Sequence, residues 1–214
     1  MCGITGFWTV PNSPEGELNE IARTMANKIA HRGPDDSGTW SDAHVGIALG
    51  HQRLSIIDLS PAGHQPMVSR SGRFVIAFNG EIYNHLKIRE ELDNSVNPSA
   101  LSGVAGAKLK WRGYSDTETL LAGFERWGVA ATLAKTVGMF AIVLWDAQKR
   151  TLHLTRDRFG EKPLYYGWAN RTFVFGSELK ALRAFPGFTN PVCRQALAQY
   201  MRFMYVPAPR SIYQ

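Results

Sequence analysis

Short apolar runs that double back through tight turns dominate this sequence and call for antiparallel pairing. Met139–Trp145 and Thr151–Thr155 flank a polar turn and read as a hairpin, the first strand apolar throughout and so buried on both faces. Tyr165–Trp168 and Thr172–Phe175 flank Ala169-Asn170-Arg171 and read as another. Phe74–Phe78 is a third strand. It is expected to stop at Asn79-Gly80, a dipeptide suited to positive φ and tight turns, with Glu81–Tyr83 leaving as the returning strand. Cys2–Trp8 reads as a buried strand, and Val45–Asp58 as a strand followed by extended chain.

Helices fall between these runs. Leu18, Ile21, Met25 and Ile29 recur at three- and four-residue spacing, which predicts an amphipathic helix ending near His31. His85–Leu92 is a short helix. Ser115-x-x-Glu118 is a helix-start pattern leading into Leu120, Leu121 and Phe124. Glu178–Arg183 and Arg194–Phe203 close the set. Arg32–Gly38 is expected to be a loop, punctuated by Gly33, Pro34 and Gly38. Asp93–Gly113 lacks periodicity, is rich in Asn, Ser, Gly and Ala, and reads as a mobile insertion. Hairpins with helices at the start, middle and end define an α+β fold with antiparallel sheets, not a doubly wound parallel sheet.

Composition narrows the class. No stretch approaches the roughly 18 apolar residues of a membrane span, and the N-terminus lacks a basic, then apolar, secretory leader. Cys2 and Cys193 are too few for a disulfide framework, so a reduced, cytoplasmic setting is expected. The net charge of +6 is scattered, with no run of five basic residues, which argues against nucleic-acid binding. The six histidines never take zinc-ligand spacing with a cysteine, and no metal site is expected.

Four places carry possible chemistry. Removal of Met1 would leave Cys2 with both a thiol and a free α-amine, groups that titrate near about 8.5 and about 8. One residue would then hold a nucleophile and its base; a structural cysteine that happens to be second is the competing reading. Asn79-Gly80 could aim a side-chain N–H and a backbone N–H at one developing oxyanion, or simply turn a hairpin. Arg53 could grip a carboxylate with two parallel hydrogen bonds, or form a surface ion pair. Asp116 could hold an ammonium, or merely sit at the positive end of a helix.

Taken in order, these features resemble the glutaminase domain of the asparagine synthetase (glutamine-hydrolysing) family, a class II, N-terminal-nucleophile amidotransferase. The matching segments include MCGITGFW at 1–8, HRGPDDSG at 31–38, GHQRLSIIDLSPAGHQPM at 50–67, FNGEIYN at 78–84, YSDTETLL at 114–121, GMFAIVLWD at 138–146 and TRDRFGEKPLYY at 155–166. SELKAL at 177–182 and YVPAPRSIY at 205–213 extend the match to the end of the chain. The resemblance implies a four-layer αββα sandwich of two antiparallel sheets. It implies that Cys2 is the nucleophile, its own amine the base, and Asn79 and Gly80 the oxyanion hole. Arg53 would bind the glutamine α-carboxylate, Asp116 and Glu81 the α-ammonium, and Leu54 and Ile56 would lend backbone contacts. Arg32–Asp35 would support the site without doing chemistry.

The same resemblance divides the chain into a glutaminase domain, 1–190, and a terminal helix with the start of a linker, 191–214. A C-terminal synthetase domain is the expected partner and receiver of ammonia. That domain would use ATP and Mg, whereas the glutaminase domain needs no cofactor. Its Ser-Gly-Gly-x-Asp-Ser pyrophosphate loop does not occur here, so an excised or truncated N-terminal domain is expected. With Met1 attached the Cys2 amine is acylated, and that form would be an inactive precursor. The competing function is a catalytically silent module that keeps the fold to dock a synthetase.

Overall fold

A computed structural model describes residues 1–95, 109–189 and 191–213. Among them, nine strands form two antiparallel sheets. The first sheet has the order β2 (Asp36–Asp42), β3 (Ile47–Arg53), β1 (Gly3–Trp8), β9 (Thr172–Gly176), β8 (Tyr165–Ala169). The second runs β4 (Met67–Val68), β5 (Phe74–Ile82), β6 (Gly138–Asp146), β7 (Thr151–Arg156).

Three apolar layers hold the sheets and helices together, and the period-two alternation of the strands decides which side chain enters which layer. Ile4, Ile47 and Leu49 of the first sheet meet Val75, Ala77, Ala141, Val143 and Trp145 of the second. Trp8 stands edge-on to Trp145 across this seam, ring centres 5.4 Å apart. The opposite face of the first sheet packs on α1 (Glu15–Asn27) and α5 (Leu179–Arg183) through Leu18, Ala22, Met25 and Leu182. The outer face of the second, through Phe74, Ile76, Phe78, Ile142 and Leu144, packs on α2 (His85–Asn94) and α3 (Asp116–Trp127). The result is the αββα sandwich, with β6 buried on both faces because it lies between a helix layer and a sheet.

Two local expectations are corrected. Asp36–Gly38 is not loop: β2 begins at Asp36 and pairs with β3 from Asp36↔Arg53 to Asp42↔Ile47. Asn79-Gly80 makes no turn. β5 continues through both residues to Ile82, with Asn79 opposite Ala141 and Gly80 opposite Phe140 on β6. Nine residues of ladder outweigh a local turn preference. The two-residue β4 and α4 (Val129–Lys135) are too short to show a period, and neither is legible in the sequence. Of the expected insertion at 93–113, residues 96–108 lie outside the described residues. Beyond them, Leu109 and Trp111 rejoin the α2–α3 core, and the Arg89 guanidinium stacks 4.2 Å over the Trp111 ring. Among the described residues no helix is long and apolar enough to cross a membrane.

Candidate active site

Cys2 sits immediately before β1, half-buried, with its backbone held from one side. Arg32 Nε donates to the Cys2 carbonyl at 2.9 Å, and Arg32 Nη1 donates to Glu178 Oε1, also at 2.9 Å. Burial alone would raise the Glu178 carboxyl, but hydrogen bonds from Arg32, Lys180 and His31 outweigh it and bring the group down to about 2. The Cys2 sulfur lies 3.4 Å from the Leu54 backbone N and 3.6 Å from its carbonyl O, just past the end of β3. Burial raises the thiol above its ordinary value. The Leu54 backbone, the chain-terminal amine and Arg53 offset this only in part, and Asp116 adds to it. The sulfur is therefore protonated at neutral pH and needs a base to become a nucleophile.

Asn79 and Gly80, the residues expected to meet an oxyanion, lie where β5 runs along a strand edge. Among the described residues β4 pairs with β5 only at Met67↔Ile76 and Val68↔Val75, and beyond Ile76 no described strand lies beside that edge of β5. Backbone groups of alternate residues point to the same edge. Phe78 N donates to Gln65 Oε1 at 2.7 Å, and Ile82 N donates to Asp116 Oδ2 at 3.0 Å. Gly80 lies between them in the same parity. Its partner on β6, Phe140, turns its own backbone groups the other way, to Asp157. The Gly80 N–H thus faces the open edge. The Asn79 side chain takes the face shared by Val75 and Ala77, is 1% exposed, and its Nδ2 is buried with no hydrogen-bond partner among the described residues. A buried amide donor left unpaired costs about 1–3 kcal/mol, which is the signature expected of a donor reserved for a ligand.

At the other end, Arg53 closes β3. Its guanidinium donates to the carbonyls of Ser60 (3.1 Å) and Asp58, leaving further donors on the same fork. Gly63 lies against the guanidinium, where a Cβ would overlap Nη2. The Asp58 carboxylate ties this loop to the α3 approach, accepting from Ser60 Oγ (2.6 Å) and Tyr114 N (2.8 Å). Asp116 opens α3, and Ser115 Oγ caps the helix by accepting from Glu118 N at 3.2 Å. Burial pushes the Asp116 carboxyl up to about 6, against the pull of the Ile82 and Thr117 N–H groups and with a further push from Glu81. Among the described residues no cation forms an ion pair with this buried carboxylate, which suits it to receive one.

All eight residues singled out from the sequence line one cavity of about 120 Å³: Cys2, Arg53, Leu54, Ile56, Asn79, Gly80, Glu81 and Asp116. At roughly 10–15 Å³ per water-sized centre, this is the scale of one free amino acid. Leu54 meets the Cys2 sulfur, whereas Ile56 stands 68% exposed on the rim. Sequence reasoning missed Gln65 and Lys162 in the wall, and His51 behind it. Their segments were recognised, but nothing in the residue types marks a Gln or a His as facing inward. Lys162 is 6% exposed, and its Nζ donates to Met1 Sδ at 3.4 Å. Met1 itself lines the cavity.

Fold and site together define a chain of the amidotransferase class. Residues 1–214 match the family of the glutamine amidotransferase domain, and the chain belongs to it. It is 37% identical over 218 residues to asparagine synthetase (glutamine-hydrolyzing) 1 of Bacillus subtilis, covering 99% of this chain and 31% of that protein. It is 34% identical over 206 residues to asparagine synthetase (glutamine-hydrolyzing) 3 of the same organism, covering 93% and 30%. The chain therefore spans about a third of the length of these relatives. Among solved structures, glutamine phosphoribosylpyrophosphate amidotransferase from B. subtilis superposes with a TM-score of 0.67 at 19% identity, over 86% of this chain and 43% of that one. At that identity the likeness concerns the fold alone, two antiparallel sheets packed between helices.

Proposed function

We propose that the chain hydrolyses glutamine to glutamate and ammonia with Cys2, after loss of Met1, and that the ammonia serves a C-terminal, ATP-dependent amide synthetase domain. One observation carries this reading: a thiol, an unpaired buried amide donor, a guanidinium fork and a buried carboxylate line the same amino-acid-sized cavity. Free glutamine presents one complementary group to each.

In the proposed reaction the Arg53 fork holds the α-carboxylate, and Asp116 with Glu81 holds the α-ammonium. Leu54 and Ile56 bound the chain between them. The free α-amine of Cys2 takes the thiol proton as sulfur attacks the side-chain amide carbon. The oxyanion that forms is met by Asn79 Nδ2 and Gly80 N–H. Collapse breaks the C–N bond, and the α-ammonium of Cys2 returns the proton to the departing nitrogen as ammonia. A glutamyl thioester remains. Water then attacks it while the amine takes the water's proton, and the C–S bond breaks to give glutamate and the restored thiol. Water is the only co-reactant.

A second reading has an observation of its own. Met1 lines the cavity beside Cys2, and an acylated Cys2 nitrogen is no base; a chain that kept Met1 would be a silent docking module. Glutamate release by the protein with and without Met1 separates the two.

A further inference from the structure

The backbone of Phe78, just before Asn79, is held at both its carbonyl and its N–H by side chains that the reaction above does not use. His51 Nε2 bonds the Phe78 carbonyl at 2.9 Å, and Gln65 Oε1 accepts from the Phe78 N–H at 2.7 Å. Because a carbonyl only accepts, His51 carries its proton on Nε2. Both side chains are at least nine-tenths buried, His51 completely. They come from opposite sides: His51 from β3 of the first sheet, Gln65 from the segment leading into β4 of the second. Gln65 also reaches α3, its Nε2 donating to Thr117 Oγ1 at 3.4 Å, next to Asp116.

Strand pairing would normally supply these bonds. With β4 ended, no neighbouring backbone among the described residues does so, and the edge that must stay open at Gly80 would otherwise be free to twist at Phe78. An oxyanion hole works only if its donors stand in place before charge develops. We propose that His51 and Gln65 are positioning residues for the oxyanion hole: by clamping the two consecutive peptide units that flank the Phe78 Cα they aim Asn79 Nδ2 and Gly80 N–H at the tetrahedral intermediate, and through Thr117 Gln65 keeps that aim in register with the α-ammonium site. The inference rests on the glutaminase reading above.

The test compares His51→Leu, Gln65→Leu and His51→Gln, whose amide N–H can reach where Nε2 stood, with the parent protein, all bearing a free Cys2 amine and supplied with the synthetase partner. The measurements are kcat and KM for glutamine, thermal unfolding, and binding of an aldehyde analogue of glutamine that adds the thiol as a tetrahedral adduct. Losing one oxyanion donor costs about 10²–10³ in rate, so the two leucine variants are expected to lose roughly ten- to a hundredfold in kcat. KM should stay within about threefold, aldehyde affinity should fall with kcat, and His51→Gln should regain most of the loss. Unchanged kcat in folded leucine variants, or equal losses for His51→Leu and His51→Gln, would overturn the clamp. If His51→Leu does not fold, Gln65→Leu decides, since it lines the cavity at a sheet end. Failure of the parent protein to release glutamate would overturn the glutaminase reading, and the clamp with it; activity in the parent with unaffected variants would overturn the clamp alone.

Discussion

The Ile82 N–H donates to Asp116 Oδ2 at 3.0 Å, so the carboxylate proposed to hold the substrate ammonium is pinned to the strand edge that carries Gly80 two residues earlier. One backbone edge thereby sets both the proposed oxyanion end and the proposed ammonium end of the cavity. The spacing between them is fixed by strand geometry, at about 3.3 Å per residue.

Asp116 titrates at about 6, and this shapes the pH profile. The Cys2 amine must be neutral to act, giving kcat/KM one acid limb near about 8. Below about 6 the Asp116 carboxyl also protonates and loses its hold on the ammonium. A plot of log kcat/KM against pH should therefore steepen from unit slope to a slope near two. Asp116→Asn should raise KM by at least about tenfold and keep unit slope throughout.

The same carboxyl makes an opposite statement about stability. Its folded pKa is raised from 3.8, so its contribution is fully present below about 3.8 and is lost as pH rises through about 6. Asp116→Asn should then stabilise the ligand-free protein above pH 6 by about 2–3 kcal/mol. The gain should vanish below pH 4. Thermal unfolding across this range checks it, and equal shifts at both ends would contradict the assignment.

Gly63 backs the Arg53 guanidinium, where a Cβ would collide with Nη2. The collision is with the far end of a flexible side chain, so Gly63→Ala should fold while pushing the fork aside. The expected result is a KM for glutamine raised about tenfold or more, with kcat within about threefold, because uniform binding is lost and no transition-state contact is touched. Steady-state kinetics decide it.

Glu178 holds Arg32, which holds the Cys2 carbonyl. The Glu178 carboxyl is lowered from 4.5 to about 2, so its contribution is present above about 4.5 and is lost as pH falls through about 2. Glu178→Gln should destabilise the fold by about 1–2 kcal/mol at neutral pH, discounted for the partial exposure of the pair. The deficit should shrink on acidification below pH 4.5. Urea unfolding at pH 7 and pH 3 measures both.

Much of this was legible because hairpins and amphipathic helices announce themselves by period. β1, β6 to β9 and the cores of α1, α3 and the last helix, α6 (Arg194–Phe203), lie where the sequence places them. That the eight residues gather at one cavity was legible from motif order, with Arg53 and Asp116 expected at a substrate end. What the sequence concealed is tertiary. Asn79-Gly80 looks like a turn because local preference favours one; only the ladder to Ala141 and Phe140 keeps it straight. The donors are presented by a strand whose neighbour ends early, and no residue type signals that. His51 and Gln65 are equally silent, since a His or Gln facing inward has the same letter as one facing water.

The central claim is that Cys2, freed of Met1, carries both attacking sulfur and base. The direct measurement is glutamate formed from glutamine by three forms of the protein with its synthetase partner: Met1 removed, Met1 retained, and Cys2→Ala. Turnover is expected only in the first, with the same fold by circular dichroism in all three. Turnover with Met1 in place, or in folded Cys2→Ala protein, would contradict the claim.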